Sequence, residues 1–222
     1  KARGGLNAVL SLPLAEQQKG ITTHSSGNHA QAIALAAKVV GTSAYIVMPT
    51  NAPAIKKKGV AVLGGTIIEC ENKLEAREAG VEKVISETGA TFIHPFDNYD
   101  VIAGQATAAK ELIEEIDNLD CLIAPVGGGG LLSGTALSAY YLQPSTEVWA
   151  GEPEGAADAV LSFSSGKIEK APFIKTIADG LLTNLSERTL SIIRNHVKGI
   201  LTVSDEEIIE AMDDLRSASV DV

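Results

Sequence analysis

The sequence predicts an α/β fold: an open, mostly parallel, twisted sheet with helices on both of its faces. Two observations indicate this class. Short apolar and β-branched runs alternate with longer stretches in which apolar residues recur with helical period. The short runs are mostly continuously apolar rather than alternating, which is typical of parallel strands that are buried on both faces.

Six segments have the composition of strands, and five of the stretches after them have the period of helices. The predicted strands are residues 20–24, 43–48, 66–70, 91–94, 121–126 and 147–150. The predicted helices are residues 28–39, 54–63, 73–88, 99–118 and 131–142. Gly41, Gly64 and Gly89 follow three of these helices, where a left-handed glycine would end the helix.

The last third of the chain predicts a polar loop and two further helices. Residues 162–172 are polar and loop-like. Ser186 and Ser204 each precede a helical stretch and are candidates for the helix N-cap. Ser204 is followed three residues later by Glu207, which is the spacing of a capping box.

Composition excludes several function classes. The 222 residues are 45% hydrophobic, as expected for a globular protein with a substantial core. A formal net charge of −10 argues against nucleic acid as a partner. No stretch approaches the roughly 18 uninterrupted apolar residues of a membrane helix, so we expect no membrane partner. Cys70 and Cys121 lie far apart and have no metal-site spacing, which predicts buried free thiols in a cytoplasmic protein.

Four consecutive glycines form the most unusual loop: Gly127, Gly128, Gly129 and Gly130 follow an apolar strand and precede a helix. Consecutive N–H groups without Cβ atoms can converge on a phosphate ester. No Gly-Lys-Ser/Thr follows, and the loop does not fit the G-x-G-x-x-G pattern of a dinucleotide site. A tight turn needs only one or two glycines, so four indicate close approach by a ligand.

A second loop, residues 23–37, also runs from a strand into a helix. It contains Ser25, Ser26, Gly27, Asn28 and His29. The unpaired N–H groups at a helix start favour an anion. Helix capping by one of these polar side chains is the simpler interpretation, but the five together exceed what capping needs.

A phosphate monoester without either nucleotide signature points to a cofactor that does its own chemistry. Pyridoxal phosphate is such a cofactor, and it requires a lysine for its Schiff base. The candidate is Lys1, in the opening stretch KARGGLNAV. The alternative is that Lys1 is an ordinary surface charge.

These three elements, in this order, resemble the fold-type II pyridoxal-phosphate enzymes, specifically the serine racemase and threonine (serine) dehydratase family. Lys1, Arg3 and Gly4 match the second half of the family's S-F-K-x-R-G stretch, and residues 25–29 match its S-S-G-N-H loop. The segments VIAGQAT and TIADGL are also similar to family segments. HPFDN is similar to the dehydratase branch, so the subfamily stays open.

The resemblance implies a role for each matched residue. Lys1 would bind the cofactor and then act as the base at the substrate Cα. Ser26 would be the acid or base on the opposite face. The implied cofactor ligands are Lys1, Asn28, Gly127, Gly128, Gly129 and Gly130. The implied substrate ligands are Ser25, Ser26, Gly27 and His29, although the residues themselves favour a hydrogen-bonded scaffold role for His29.

A metal site is a further expectation. The stretch WAGEPEGAAD presents Glu152, Glu154 and Asp158 after a strand, and Mg²⁺ or Ca²⁺ prefers such oxygen ligands. From the residues alone, a solvated turn is equally compatible. The resemblance to racemases implies that Glu152, the carbonyl of Ala156 and Asp158 hold Mg²⁺, with Ca²⁺ or Mn²⁺ as substitutes.

The implied function is a pyridoxal-phosphate-dependent racemase or β-eliminating dehydratase of small hydroxy amino acids, such as serine, threonine or 3-hydroxyaspartate. The resemblance also implies a homodimer, a large domain of residues 1–25 and 102–222, and a small domain of residues 26–101. Family segments expected before Lys1 and after Val222 are missing, so we expect a chain truncated at both ends. The alternative is a non-catalytic phosphate- or nucleotide-binding module, or an inactive fragment.

Overall fold

The computed structural model describes residues 1–218 and divides into two compact units. The first unit runs from Lys1 to Thr107, and the second begins at Ala108. The boundary falls within one helix, Tyr99–Glu115. The large and small domains that the resemblance implies are a different partition of the chain and stay a prediction.

The first unit contains a four-stranded parallel sheet. Its strands are β1 (Ile21–His24), β2 (Ala44–Pro49), β3 (Thr66–Cys70) and β4 (Thr91–Phe92), in the order β3-β2-β1-β4. Its helices are α1 (Ala2–Leu10), α2 (Leu14–Gln17), α3 (Asn28–Val40), α4 (Ala54–Val62), α5 (Leu74–Thr88) and the first part of α6 (Tyr99–Glu115).

Helices cover both faces of this sheet. Ile46 and Met48 of β2 belong to a core with the alanine-rich helix α3. The intervening residues, Tyr45 and Val47, pack with Val81 of α5 in a separate cluster. Because successive strand residues point to opposite faces, α3 and α5 lie on opposite sides of the sheet. The predicted α/β class, with a parallel sheet between helices, is therefore confirmed.

A close crossing of α1 and α6 holds the start of the chain. A Cβ atom built on Gly104 would lie 2.5 Å from the Arg3 carbonyl oxygen and 2.6 Å from the Gly4 Cα. Only glycine allows the two backbones to approach this closely. The crossing is fastened by the Arg3 guanidinium, which donates to the Thr107 hydroxyl (3.0 Å), and by the Asn7 amide, which donates to the Asp100 carbonyl (2.7 Å).

The second unit contains a three-stranded parallel sheet in the order β5-β6-β7. Its strands are β5 (Cys121–Pro125), β6 (Glu147–Pro153) and β7 (Gly199–Val203). Its helices after α6 are α7 (Gly130–Leu142), α8 (Asp158–Ser165), α9 (Glu187–His196) and α10 (Asp205–Ala218), and a 3-10 turn spans Glu154–Ala156.

The two faces of this second sheet differ. Leu122 and Ala124 of β5 pack in one core with Leu132 of α7 and Ile193 of α9. On the alternate positions of β5, Cys121 is exposed and Ile123 is 69% exposed. Helices α7, α8 and α9 therefore pack on the Leu122 face.

Most predicted elements are confirmed, and the differences are local. Gly41, Gly64 and Gly89 are all left-handed, as predicted. Ser186 forms a capping box with Thr189, and Ser204 forms one with Glu207. Four elements were not predicted: the helices α1 and α2, the strand β7, and α8, which occupies residues expected to form a turn and the start of a polar loop.

Two further expectations concern the surface. The cysteines are free as predicted, but Cys70 is half-buried and Cys121 is exposed, so the expectation that both are buried was wrong. Strand β5 places alternate side chains outside the core, and Cys121 is one of these.

Within residues 1–218, the helices are too short or too polar to cross a membrane.

We expect Gly104→Ala to destabilise the protein by about 1–3 kcal/mol, because the added methyl group overlaps backbone atoms of α1 that cannot rotate away. Urea unfolding measures this change. Gly151→Ala is the matched control, since a Cβ there meets nothing within 4 Å. Equal unfolding free energies for the two variants would show that the helix crossing is not tightly packed.

Candidate functional site

Lys1 immediately precedes α1, so the helix crossing fixes the position of its backbone. The Lys1 Nζ donates a hydrogen bond to the Pro95 carbonyl oxygen at 2.9 Å. Although the residue as a whole is exposed, desolvation of the ammonium group lowers the pKa of the Lys1 side chain. A lowered pKa leaves more of the amine neutral, and the neutral amine is the form that acts as a nucleophile or a base.

Lys1 and Asn28, both predicted to contact the cofactor, line the same cavity in the first unit. The cavity has a volume of about 340 Å³. Its other lining residues are Ala2, Gln31, Ala32, Leu35 and Leu63. The structure therefore brings together an amine and an exposed amide side chain at the start of α3.

The serine loop leads from β1 into α3 without a side-chain cap. Gly27 is the N-cap residue of α3, and no side chain caps the helix. The Ser25 hydroxyl accepts from the Gly27 N–H at 3.3 Å, and the Ser25 N–H donates to the Val47 carbonyl. Ser26 is half-buried beside them. The interpretation that these polar residues merely cap the helix is not supported, and the partial positive charge of the helix start remains available to an anion.

His29 is buried and holds β4 against the start of α3. Its Nε2 lies 3.2 Å from the Ile93 carbonyl oxygen, which also accepts from the Thr23 hydroxyl at 2.8 Å. Burial, with a further contribution from the charge of Lys1, lowers the pKa of His29 to about 3. The ring is therefore neutral, and Nε2 carries the proton that the carbonyl accepts. These contacts favour a scaffold role for His29, and its assignment to the substrate site stays a prediction.

The carbonyl that accepts from Lys1 belongs to a turn organised by His94. The His94 Nδ1 accepts from the Phe96 N–H (3.3 Å) and from the Asp97 N–H (2.8 Å). The same ring packs edge-on against Phe96, with centroids 4.6 Å apart. The sequence did not identify Pro95, because the type of a residue does not reveal a role for its backbone carbonyl.

The glycine loop in the second unit has a backbone that requires glycine. Gly129 is left-handed, with φ of 84°, and is the N-cap residue of α7. A Cβ atom there would lie 2.7 Å from a Leu185 methyl carbon and 2.8 Å from the Thr189 Cβ. Gly127 is less constrained, since its Cβ would lie 3.2 Å from the Leu181 Cα.

The N–H groups of this loop have the arrangement of an anion site. Within residues 1–218, the structure gives no hydrogen-bond acceptor to the N–H groups of Gly127, Gly128, Gly129 and Gly130. One turn later, the Ser133 hydroxyl is buried and also has no partner in the described chain. Unsatisfied N–H donors at a helix start favour a phosphate group, so the loop fits the phosphate of pyridoxal phosphate.

The predicted metal ligands form a buried acidic turn in the second unit. Glu152 is 1% exposed and Asp158 is 2% exposed. The Glu152 carboxylate accepts from the Ala159 N–H (2.6 Å) and the Val160 N–H (2.9 Å), while one Asp158 oxygen, Oδ2, is buried without a partner in the described chain. Ala156 lies in the 3-10 turn between them.

Burial dominates the electrostatics of this turn. Desolvation raises the pKa of Glu152 to about 7, and the nearby Asp158 carboxylate adds to the increase. Desolvation also raises the pKa of Asp158. No group of three or more His, Cys, Asp or Glu side chains is placed to hold a metal within residues 1–218. A cation here would therefore need oxygen atoms other than these two carboxylates, such as the Ala156 carbonyl.

Comparisons with known proteins agree with the resemblance. Residues 1–219 match the family model described as pyridoxal-phosphate dependent enzyme. The chain is 49% identical to beta-hydroxyaspartate dehydratase of Paracoccus denitrificans and 47% identical to the serine racemase of Dictyostelium discoideum, over 96% of its length in both cases. The structure superposes on that of maize serine racemase with a TM-score of 0.94, at 44% identity over 96% of the chain.

The match covers only part of each relative. It spans 67% of the dehydratase, 66% of the Dictyostelium racemase and 65% of the maize structure. Nearly the whole of this chain is nevertheless aligned in each comparison. The chain belongs to the family of pyridoxal-phosphate-dependent enzymes.

Proposed function

We propose that this protein is a pyridoxal-phosphate-dependent racemase or β-eliminating dehydratase of small hydroxy amino acids, such as serine, threonine or 3-hydroxyaspartate. The observation that carries this proposal is the cavity shared by Lys1 and Asn28, in which the pKa of the amine is lowered. The names of the relatives, serine racemase and beta-hydroxyaspartate dehydratase, support the substrate class.

Each unit has donors whose chemistry fits one group of the cofactor. In the first unit, Lys1 has a primary amine that would react with the aldehyde. In the second unit, Gly127 to Gly130 have N–H groups that would bind a phosphate. Asn28 would donate to the 3′-oxygen attached to the pyridine ring. Pyridoxal phosphate supplies an aldehyde that captures the substrate amine and a conjugated ring that stabilises negative charge at Cα.

The serine loop would bind the substrate carboxylate. The uncapped N-terminus of α3 and the Ser25 hydroxyl place hydrogen-bonding groups and partial positive charge in one short loop. An anion at a helix start is stabilised by about 0.3–1 kcal/mol at an exposed site, and by up to about 2 kcal/mol in a partly buried one. The loop would therefore orient the Cα–H bond as well as hold the substrate.

Two chain groups would move protons at Cα. Lys1 Nζ acts as the base on one face, and its lowered pKa leaves more of the amine neutral than in a free lysine. The Ser26 hydroxyl returns a proton on the opposite face, which inverts the centre. When the substrate has a β-hydroxyl, loss of that group after proton removal gives elimination instead.

We also propose a divalent cation at Glu152, Ala156 and Asp158, with Mg²⁺ as the first candidate and Ca²⁺ or Mn²⁺ as substitutes. The partnerless Asp158 oxygen and the proximity of two buried carboxylates support this proposal. A cation would neutralise their repulsion and supply the missing partner. A homodimer, implied by the resemblance, and a cytoplasmic location, consistent with two free cysteines, also stay proposals.

We expect pyridoxal phosphate to attach to the Lys1 side chain at a pH at which a free lysine amine is still protonated, because the pKa of Lys1 is lowered. Borohydride reduction followed by peptide mass spectrometry locates the bond, and repeating it across pH gives the profile. Lys1→Ala should abolish the labelled peptide. Cofactor uptake with no covalent bond at Lys1 would instead favour a non-catalytic phosphate-binding module.

We expect Ser26→Ala to lower serine racemisation by about 10²-fold or more, the usual effect of losing a general acid or base. Elimination from L-serine should change only a few-fold, because it needs the Lys1 face alone. Chiral chromatography and keto-acid release measure the two reactions. Ser86→Ala, an exposed serine on α5, is the control. An equal loss of both reactions would contradict the two-face assignment.

We expect Mg²⁺ to raise the melting temperature of the wild-type protein and to have no such effect on Glu152→Gln, because the neutral amide is a weak ligand. Thermal unfolding with Mg²⁺ or EDTA measures this. Glu154→Gln removes an exposed acid from the same turn and should keep the Mg²⁺ response. Identical responses of the two variants would rule out this cation site.

A further inference from the structure

Asp205, the first residue of α10, binds two successive residues of an exposed segment in the second unit. One carboxylate oxygen accepts from the Thr176 hydroxyl at 2.5 Å, and the other accepts from the Ile177 N–H at 3.1 Å. Because each oxygen has its own donor, the carboxylate fixes the orientation of this segment as well as its position.

Hydrogen bonds continue from these two residues along the segment. The Ala178 N–H donates to the Thr176 hydroxyl at 3.1 Å. The Asp179 N–H donates to the Ile177 carbonyl (2.8 Å), and the Leu181 N–H donates to the Ala178 carbonyl (2.9 Å). Residues 176–181 thus form a connected turn that begins at the Asp205 carboxylate.

The far end of this turn lies against the glycine loop. A Cβ atom built on Gly127 would be 3.2 Å from the Leu181 Cα and 3.5 Å from the Gly180 carbonyl oxygen. Gly180 and Leu181 therefore form a backbone wall beside the first glycine of the loop. A displacement of this wall would change where the Gly127 N–H points.

Apolar burial contributes little to holding the segment in place. Phe173, Ile174 and Ile177 are 60%, 58% and 50% exposed. At the near end, the Lys175 N–H donates to the Gly155 carbonyl at 2.7 Å. With so little apolar burial, polar contacts such as the paired hydrogen bonds to Asp205 contribute to the local order.

We propose that Asp205 is a positioning residue for the phosphate-binding loop: through residues 176–181 it sets the wall against which Gly127 lies. The proposal rests on the proposed role of Gly127 to Gly130 as the phosphate site. Asp205 itself touches neither the cofactor nor the substrate in this account. Its effect is selective for ligands that have the phosphate group.

The test compares pyridoxal phosphate with pyridoxal, which has the aldehyde but no phosphate. Binding of each compound to the full chain is followed by absorbance titration. Asp205→Asn replaces one acceptor oxygen by an NH2 group and removes the negative charge, so neither contact keeps a charged acceptor. We expect its affinity for pyridoxal phosphate to fall about tenfold, the value of a hydrogen bond to a charged group, and its affinity for pyridoxal to stay within twofold.

Glu206→Gln is the matched control. It removes the same charge from the same first turn of α10, and the structure gives the Glu206 side chain no hydrogen bond to the described residues. Its affinity for both compounds should equal that of the wild type. If it loses as much phosphate-selective affinity as Asp205→Asn, charge at the start of α10 explains the effect, and the positioning role is overturned.

A second pair of variants tests the other side of the contact. Thr176→Val removes the hydroxyl that donates to Asp205 and should reproduce the phosphate-selective loss, whereas Thr176→Ser should restore wild-type affinity. These variants leave Asp205 intact, so they decide the matter if Asp205→Asn does not fold. Equal losses for both compounds, or no loss in any variant, would overturn the proposal.

The wild-type titration distinguishes a failure of the proposed phosphate site from a failure of the positioning role of Asp205. If the wild type binds pyridoxal phosphate no more tightly than pyridoxal, the phosphate site fails and the role of Asp205 falls with it. If the wild type discriminates between them and the Asp205 and Thr176 variants do so equally well, only the positioning role is wrong.

Discussion

Backbone N–H groups at the start of α7 have no acceptor among the described residues, and the interpretation of this chain depends on this constraint. The left-handed Gly129 turns β5 into α7 while Leu185 and Thr189 occupy the space that a side chain would need. The backbone N–H groups of Gly127 to Gly130 are therefore not covered by side chains of their own residues. Buried N–H groups without acceptors are costly, and an anion bound at the helix start removes that cost.

Close backbone packing also fixes the position of the Lys1 amine. The crossing of Gly4 with Gly104 positions α1, and with it Lys1, while His94 organises the turn whose Pro95 carbonyl accepts from the Lys1 amine. In each unit, the candidate binding groups are positioned by glycine contacts that leave no space for a side chain. Substitution of these glycines would therefore affect function by moving backbone rather than by removing a ligand.

The sequence predicted residue types better than it predicted elements that depend on packing. Strand and helix periods identified most of the α/β fold, and capping chemistry identified the starts at Ser186 and Ser204. Helix α1 was missed because two glycines, Gly4 and Gly5, disfavour a helix locally, yet both lie against other helices in the structure. The apolar run of β5 predicted burial on both faces, but Ile123 is largely exposed.

The candidate site shows the same contrast between features that residue types reveal and features that depend on packing. Lys1, the serine loop and the glycine loop were identified because their side chains, or the absence of side chains, can be read directly from the sequence. Pro95 and the wall at Leu181 act through backbone atoms, and the carboxylate of Asp205 acts on a segment 28 and 29 residues away, so local patterns contain no signal for them. Nuclear magnetic resonance of the glycine-labelled protein tests directly whether the glycine loop binds a phosphate. We expect the amide signals of Gly127 to Gly130 to shift when pyridoxal phosphate is added and to stay in place with pyridoxal. Equal shifts with both compounds, or shifts confined to other glycines, would contradict it.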